Sequence, residues 1–208
     1  MLENSCNEFL DRLASGDAVP GGGGASALCG ALGVALGSMV CNLTSGKKKY
    51  ADVQPDIERI QAEATALRRR LQDLVQADAT AFEPLSKAYG LPKGTPEELA
   101  HRDEVMAKCL KDACDVPLRI MHACAEAIAL LEELAVKGSR IALSDVGVGA
   151  AFSRSALEGA SLNVYINTKL MKDRELAAQC EVEADALLVE WLPRADRVVE
   201  VVKTSIRK

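Results

Sequence analysis

Aromatic residues are scarce in this chain: three Phe, three Tyr and one Trp among 208 residues. Runs of β-branched residues are short as well, which argues against a β-sheet protein and leaves Ala, Leu and Glu to set an α-rich fold packed through small side chains. Histidine is rarer still. His101 and His122 fall in one helical stretch and in no ligand spacing, so neither a serine–histidine–acid triad nor a structural zinc site is expected. Acid–base work would then fall to carboxylates and lysine. The seven cysteines include no C-x-x-C pair, and Cys29, Cys41, Cys109, Cys114 and Cys124 lie in apolar helical surroundings. They read as reduced packing residues of a cytoplasmic protein. The formal charge is −5, which lacks the basic excess of a nucleic-acid binder. No basic start followed by an apolar run and a cleavage site opens the chain, so no signal peptide is expected.

What the chain does have is Pro20-Gly21-Gly22-Gly23-Gly24, followed by an almost uncharged segment from Ala25 to Thr44 and then Gly46-Lys47-Lys48-Lys49-Tyr50. Glycines at a helix start admit a ligand close to backbone N–H groups, and the helix dipole favours negative charge there. The lysines offer a second place for an anion. The apolar segment is long enough for a membrane span, but Ser26, Ser38 and Asn42 interrupt it, no second span exists, and the other helices are amphipathic. It reads as a central helix buried by its neighbours, with no membrane partner. Ser26, Gly30, Gly33 and Gly37 form a stripe of small residues along it. Another helix should lie on that stripe, a copy from a second subunit among them.

The length suits one domain over residues 1–208, and no repeat or linker divides it. A first helix is expected over about 5–14 with Ser5 as cap. A third runs from about Pro55 to Ala88 on an apolar seam of Ile57, Ile60, Ala64, Leu67, Leu71, Leu74, Ala81 and Leu85. Thr95 and Glu98 make a capping box for a fourth helix that reaches about Ala135 and kinks at Pro117. The fifth runs from Ser144-Asp145 to about Met171, and the sixth from about Asp173 to Ser205, bent at Pro193. The fold class is all-α: a single antiparallel bundle of about six helices, several of them long and kinked.

Several residues have two readings. Asp78 stands in the apolar seam, so it is either rotated outward and solvated or lines a cavity. Lys47, Lys48 and Lys49 are either a solvated helix end or, with Asn42, Thr44 and Tyr50, an anchor for a carboxylate-bearing ligand. Ser144 or Asp145 either caps the fifth helix or faces a cleft beside Gly147-Val148-Gly149. Asn163 and Asn167 are amides in an apolar helix and need partners, from helix contacts or from a ligand. The glycine run is no Walker loop, because Gly46-Lys47 closes a helix where that loop opens one, and no βαβ unit makes it a dinucleotide fingerprint. By itself it is equally a flexible turn and helix cap.

Taken in order, these parts resemble the cyclodeaminase/cyclohydrolase family, found at the C-terminal end of formiminotransferase-cyclodeaminase and as stand-alone bacterial proteins. The resemblance rests on Phe9-Leu10-Asp11, on Pro20 to Leu28, and on Met39 to Tyr50. It continues through Asp78-Ala79-Thr80-Ala81-Phe82, Ala88 to Lys93, Ser144 to Val148 and Leu162-Asn163-Val164. It implies an all-α homodimer with folate clefts near the subunit interface and chemistry on the one-carbon bridge between N5 and N10 of tetrahydrofolate. The expected activity is methenyltetrahydrofolate cyclohydrolase, with formiminotetrahydrofolate cyclodeaminase as the alternative and a non-catalytic folate-binding helical module behind both. A tetrahydrofolate derivative enters as substrate, and no tightly bound cofactor or metal is expected.

On this resemblance Asp78, Asp145 and Lys48 are the candidate catalytic residues. Gly21, Gly22, Gly23, Gly24, Ser26, Asn42, Lys47, Lys49, Tyr50, Phe82, Ser144 and Asn163 are the candidate binding residues. Three departures stand out. Many members carry serine at the position of Gly24 and an acidic residue at the position of Ala77, and Lys137-Gly138-Ser139-Arg140 replaces a more usual glycine-asparagine start.

Overall fold

The computed structural model describes residues 1–3 and 5–207. Six α-helices carry the fold: α1 (Cys6–Leu13), α2 (Gly22–Thr44), α3 (Gln54–Ala88), α4 (Pro96–Lys137), α5 (Leu143–Thr168) and α6 (Arg174–Ile206). Short 3-10 turns at Lys48–Val53 and Arg140–Ala142 lead into α3 and α5. The capping boxes form as expected: Ser5 with Glu8 opens α1, and Thr95 with Glu98 opens α4.

α2 is the axis of the bundle. It runs antiparallel to α3 and α5, as its first turn meets Asp78 and Asn163 while Gly33 meets Gly149 and Gly37 meets Leu131 and Leu134 of the parallel α4. The small-residue stripe explains how the helices come so close. A Cβ at Gly33 would lie 2.6 Å from Ser153 Oγ and 2.8 Å from the Gly149 carbonyl, so only glycine permits this crossing. The stripe is filled by α3, α4 and α5 of the same chain; no second copy is needed to cover it. Outside α2, Ile57, Ile60, Leu71, Leu74 and Leu85 of α3 are fully buried, as their seam predicts.

The start of α2 and the end of α5 differ from expectation. α2 starts at Gly22 rather than Ala25, so Gly22, Gly23 and Gly24 form its first turn and the loop ends at Gly21. α5 ends at Thr168 rather than Met171, and Pro84, Pro117 and Pro193 all lie inside continuous helices. By length and composition α2 could cross a membrane, but its apolar window is more than half buried against α3, α4 and α5.

Candidate functional site

A cleft of about 160 Å³ opens where α2 begins. Its floor is the backbone of Gly21, Gly22 and Gly23; Asp78 and Phe82 enter from α3, Ala113 and Pro117 from α4, and Asn163, Ile166 and Asn167 from α5. Phe82, Pro117 and Ile166 give it apolar walls. One carboxylate and two amides supply its side-chain polarity.

Asp78 is not the solvated helix end that one reading of its seam position allowed. Its Oδ2 accepts the Gly24 N–H at 2.8 Å, inside the first turn of α2 where orphan N–H groups and the dipole favour an anion. Oδ1 has no partner among the described residues. Burial pushes the carboxyl above the ordinary carboxylate range, with the Gly24 N–H opposing in part. Gly23 makes this seat possible: a Cβ there would lie 2.1 Å from Oδ1 and 2.8 Å from Oδ2. The carboxylate occupies the space of the missing side chain.

The two amides divide the roles that the sequence left open. Asn163 donates to the Gly159 carbonyl of its own helix at 2.9 Å and turns its Oδ1 toward Gly22 at the cleft. Asn167 is buried and donates to the Ala113 carbonyl of α4 at 2.8 Å. That carbonyl is the acceptor that residue 117 would bond in an unbroken helix, and Pro117 has no N–H to give. Asn167 thus replaces the missing helical bond and ties α5 to α4 at the cleft wall.

Ser26 does not line the cleft. It donates to the Gly22 carbonyl at 2.8 Å and packs against Gly159, so it serves the α2–α5 crossing. At Gly24, a Cβ would have only ordinary contacts, 3.6 Å to the Val75 carbonyl and 3.7 Å to Asp78 Oδ2. A serine side chain would fit there. Ala77 lies on a separate shallow groove with Asp73 and Asp112, so an acid at that position would not enter the Asp78 cleft.

The remaining candidates collect at the other end of α2. Its 23 residues span about 34 Å at 1.5 Å per residue, so Lys47, Lys48 and Lys49 cannot share a cleft with Asp78 of the same chain. All three are exposed, and none makes an ion pair among the described residues. Lys49 lies over the Tyr50 ring, 5.7 Å from its centre. Tyr50 is a brace: its hydroxyl accepts the Arg140 N–H at 2.9 Å. That bond, the Ser139 side chain and the charges of Lys49 and Lys47 hold its phenol below the ordinary range, burial opposing.

Gln54, which the sequence did not single out, organises the loop. Its amide accepts from Gly46 N–H at 2.8 Å and donates to the Tyr50 carbonyl at 2.9 Å. Gly46 itself holds φ of 71°, a left-handed conformation that favours glycine. The departure at Lys137-Gly138-Ser139-Arg140 belongs to the same joint. A Cβ at Gly138 would lie 2.8 Å from Val40, and the Ser139 N–H donates to Thr44 Oγ1 at 2.9 Å. Asn42 is exposed on a groove between α2 and α3.

Ser144 and Asp145 stand in the first turn of α5 at this end, and neither caps it: the cap position is Ala142, without a side-chain bond. Asp145 is about 27 Å along α5 from Asn163. The candidate residues therefore form two groups. Gly21 to Gly24, Asp78, Phe82 and Asn163 make one, while Asn42, Lys47 to Tyr50, Ser144 and Asp145 make the other.

No group of His, Cys, Asp and Glu suited to a metal ion occurs among the described residues. All seven cysteines are free thiols. Burial raises the Cys41 thiol to about 11 and, first among its causes, the Cys114 thiol to about 12.

Comparison with known proteins bears on this geometry. A family model described as Formiminotransferase-cyclodeaminase matches residues 5–186. A methenyltetrahydrofolate cyclohydrolase of Methylorubrum extorquens is 44% identical over 198 residues, covering 95% of each chain. A formimidoyltransferase-cyclodeaminase of Sus scrofa is 34% identical over 96% of this chain, which spans only 37% of that longer protein. Among solved structures, a formiminotetrahydrofolate cyclodeaminase of Thermotoga maritima superposes with a TM-score of 0.82 at 31% identity, covering 98% of this chain and all of that one.

Proposed function

The chain belongs to the formiminotransferase-cyclodeaminase family, and from that membership we propose that it is a folate-dependent one-carbon enzyme, a methenyltetrahydrofolate cyclohydrolase. The observation that carries the choice is 44% identity across 95% of both chains to a protein of that name. The relatives named for cyclodeamination are more distant, and the animal ones are more than twice as long.

In the reaction, 5,10-methenyltetrahydrofolate takes up water at its bridging carbon, the bond to N5 breaks, and 10-formyltetrahydrofolate and a proton leave. We assign the proton handling to Asp78. As the water attacks the cationic carbon, the carboxylate accepts a proton from it; the same proton then goes to N5 as the carbon–nitrogen bond breaks, and the hydroxyl proton is lost to solvent. A group that must take a proton and return it works best with a pKa near the working pH, and burial moves Asp78 in that direction. Its negative charge also favours the cationic substrate. Phe82, Pro117 and Ile166 offer apolar walls to the flat pteridine, and the Asn163 amide offers it hydrogen bonds.

Cyclodeamination remains the second reading, favoured by the Thermotoga maritima likeness. It closes the same ring by attack of N10 on the formimino carbon and releases ammonia. We further propose a homodimer working in the cytoplasm, supported by the apolar faces of α2 and α5 and by the reduced cysteines. The test offers purified protein each substrate in turn. Loss of methenyl absorbance above the buffer rate supports hydrolysis; growth of that absorbance from 5-formiminotetrahydrofolate, with no hydrolysis, transfers the assignment to cyclodeamination.

A further inference from the structure

The cleft holds about 160 Å³, less than the roughly 300 Å³ or more of sites that enclose a drug-sized ligand. It has room for the pteridine and its one-carbon bridge, so the benzoyl-glutamate tail of a folate must lie outside. Ala18, Gly22 and Ile166 are the exposed members of the lining, and the mouth lies at them.

Charge says what the tail needs there. A methenyl folate is cationic at its bridge and ends in a glutamate with two carboxylates; the lining offers Asp78 to the first and no lysine, arginine or histidine to the second. Lys47 to Lys49 of the same chain are out of range. About 34 Å of α2 separates them from its first turn, whereas the carboxylates hang roughly 10 Å from the bridge at ordinary bond lengths.

Arg12 supplies a cation within reach. Its Nη2 donates to the Val19 carbonyl at 3.3 Å, which lays the side chain along the mouth beside Ala18. Val19 stands four residues before Gly23, a span of at most about 14 Å, and that matches the length of the tail. The position is a fixed one: the Ser5–Glu8 capping box starts α1, and Phe9 anchors it in the core. A cation in the last turn of α1 also suits that helix's dipole, but the Val19 bond uses only one of five guanidinium N–H donors. Arg12 is exposed and makes no ion pair among the described residues. Its remaining donors form a planar fork that fits a carboxylate with two parallel bonds.

We propose that Arg12 is a substrate-binding residue: its guanidinium takes a glutamate carboxylate of the folate at the cleft mouth, while Asp78 meets the cationic bridge inside. This rests on the folate reading and adds to it a preference for substrates that carry the glutamate. Opposite charges at the two ends of the bound molecule also fix which way round it enters.

The test compares 5,10-methenyltetrahydrofolate with 5,10-methenyltetrahydropteroate, which keeps the bridge and lacks the glutamate. Wild type should favour the folate about tenfold in kcat/KM, the effect of one charge-assisted bond at an exposed site. In Arg12→Gln that ratio should fall to about one, through a higher KM for the folate and not a lower kcat. Arg12→Lys keeps the charge without the fork and should restore part of the ratio. Added salt should raise the folate KM of wild type more than that of Arg12→Gln.

An unchanged folate KM in Arg12→Gln overturns the proposal. An equal rise for both substrates overturns it as well, because it assigns Arg12 to holding the Val19 rim alone. So does a wild type that does not distinguish the two substrates. Circular dichroism and thermal unfolding verify the fold of each variant, and should Arg12→Gln fail to fold, Arg12→Lys carries the same comparison. A wild type inert toward methenyl and formimino folates overturns the functional reading, whereas an active wild type with an unmoved ratio in Arg12→Gln overturns the Arg12 assignment alone.

Discussion

At Gly23 an added Cβ would sit 2.1 Å from Asp78 Oδ1, so the glycine and the carboxylate determine each other's position. Gly23→Ala is therefore expected to displace the carboxylate and lower kcat about as much as Asp78→Asn, roughly a hundredfold or more. Gly24→Ser is expected to behave oppositely: the space is there, and serine favours a helix interior over glycine by a few tenths of a kcal/mol. Steady-state kinetics with denaturant unfolding of both variants separates the two glycines. The direction of the Asp78 shift predicts a pH profile. If the carboxylate form accepts the first proton, kcat/KM rises with pH through a pKa above the ordinary carboxylate range, and Asp78→Asn abolishes that limb. Much of this pairing was legible in the sequence, because a carboxylate in an apolar seam and a glycine run both break local rules. Their contact was not, since 54 positions separate Gly24 from Asp78.

The helices were legible because their apolar spacing repeats over many turns, and the capping boxes at Ser5 and Thr95 mark two starts locally. The start of α2 was less so: glycine has poor helix propensity, and only the Asp78 carboxylate and the α5 packing show why Gly22 to Gly24 are helical. Between elements, the Asn167–Ala113 bond carries a distinct prediction. Asn167→Ala leaves a buried carbonyl without its donor and should cost about 1–3 kcal/mol. Pro117→Ala restores a backbone N–H to that carbonyl, so the double variant should be more stable than the sum of the two single effects indicates. Equilibrium unfolding of all four proteins measures this coupling, and strict additivity would show that the amide does not stand in for the missing helical bond. At the α2–α5 crossing, Gly33→Ala is expected to cost about 1–3 kcal/mol, because the Gly149 carbonyl and Ser153 leave no room.

For the molecule as a whole, one helix carries unlike devices at its two ends and an apolar stripe between them. The sequence displayed those devices plainly but carried no distance, so it left open whether both ends of the rod serve one folate. The length of α2 separates them within a chain. The central claim is that Asp78 in the glycine-floored cleft drives hydrolysis of the N5,N10 bridge. The most direct test records the absorbance of 5,10-methenyltetrahydrofolate with wild-type protein and with Asp78→Asn at equal concentration and verified fold. The account predicts a rapid decay with wild type and a rate at least a hundredfold lower with the variant. Equal decay with both proteins, or no decay above buffer with wild type, would contradict it.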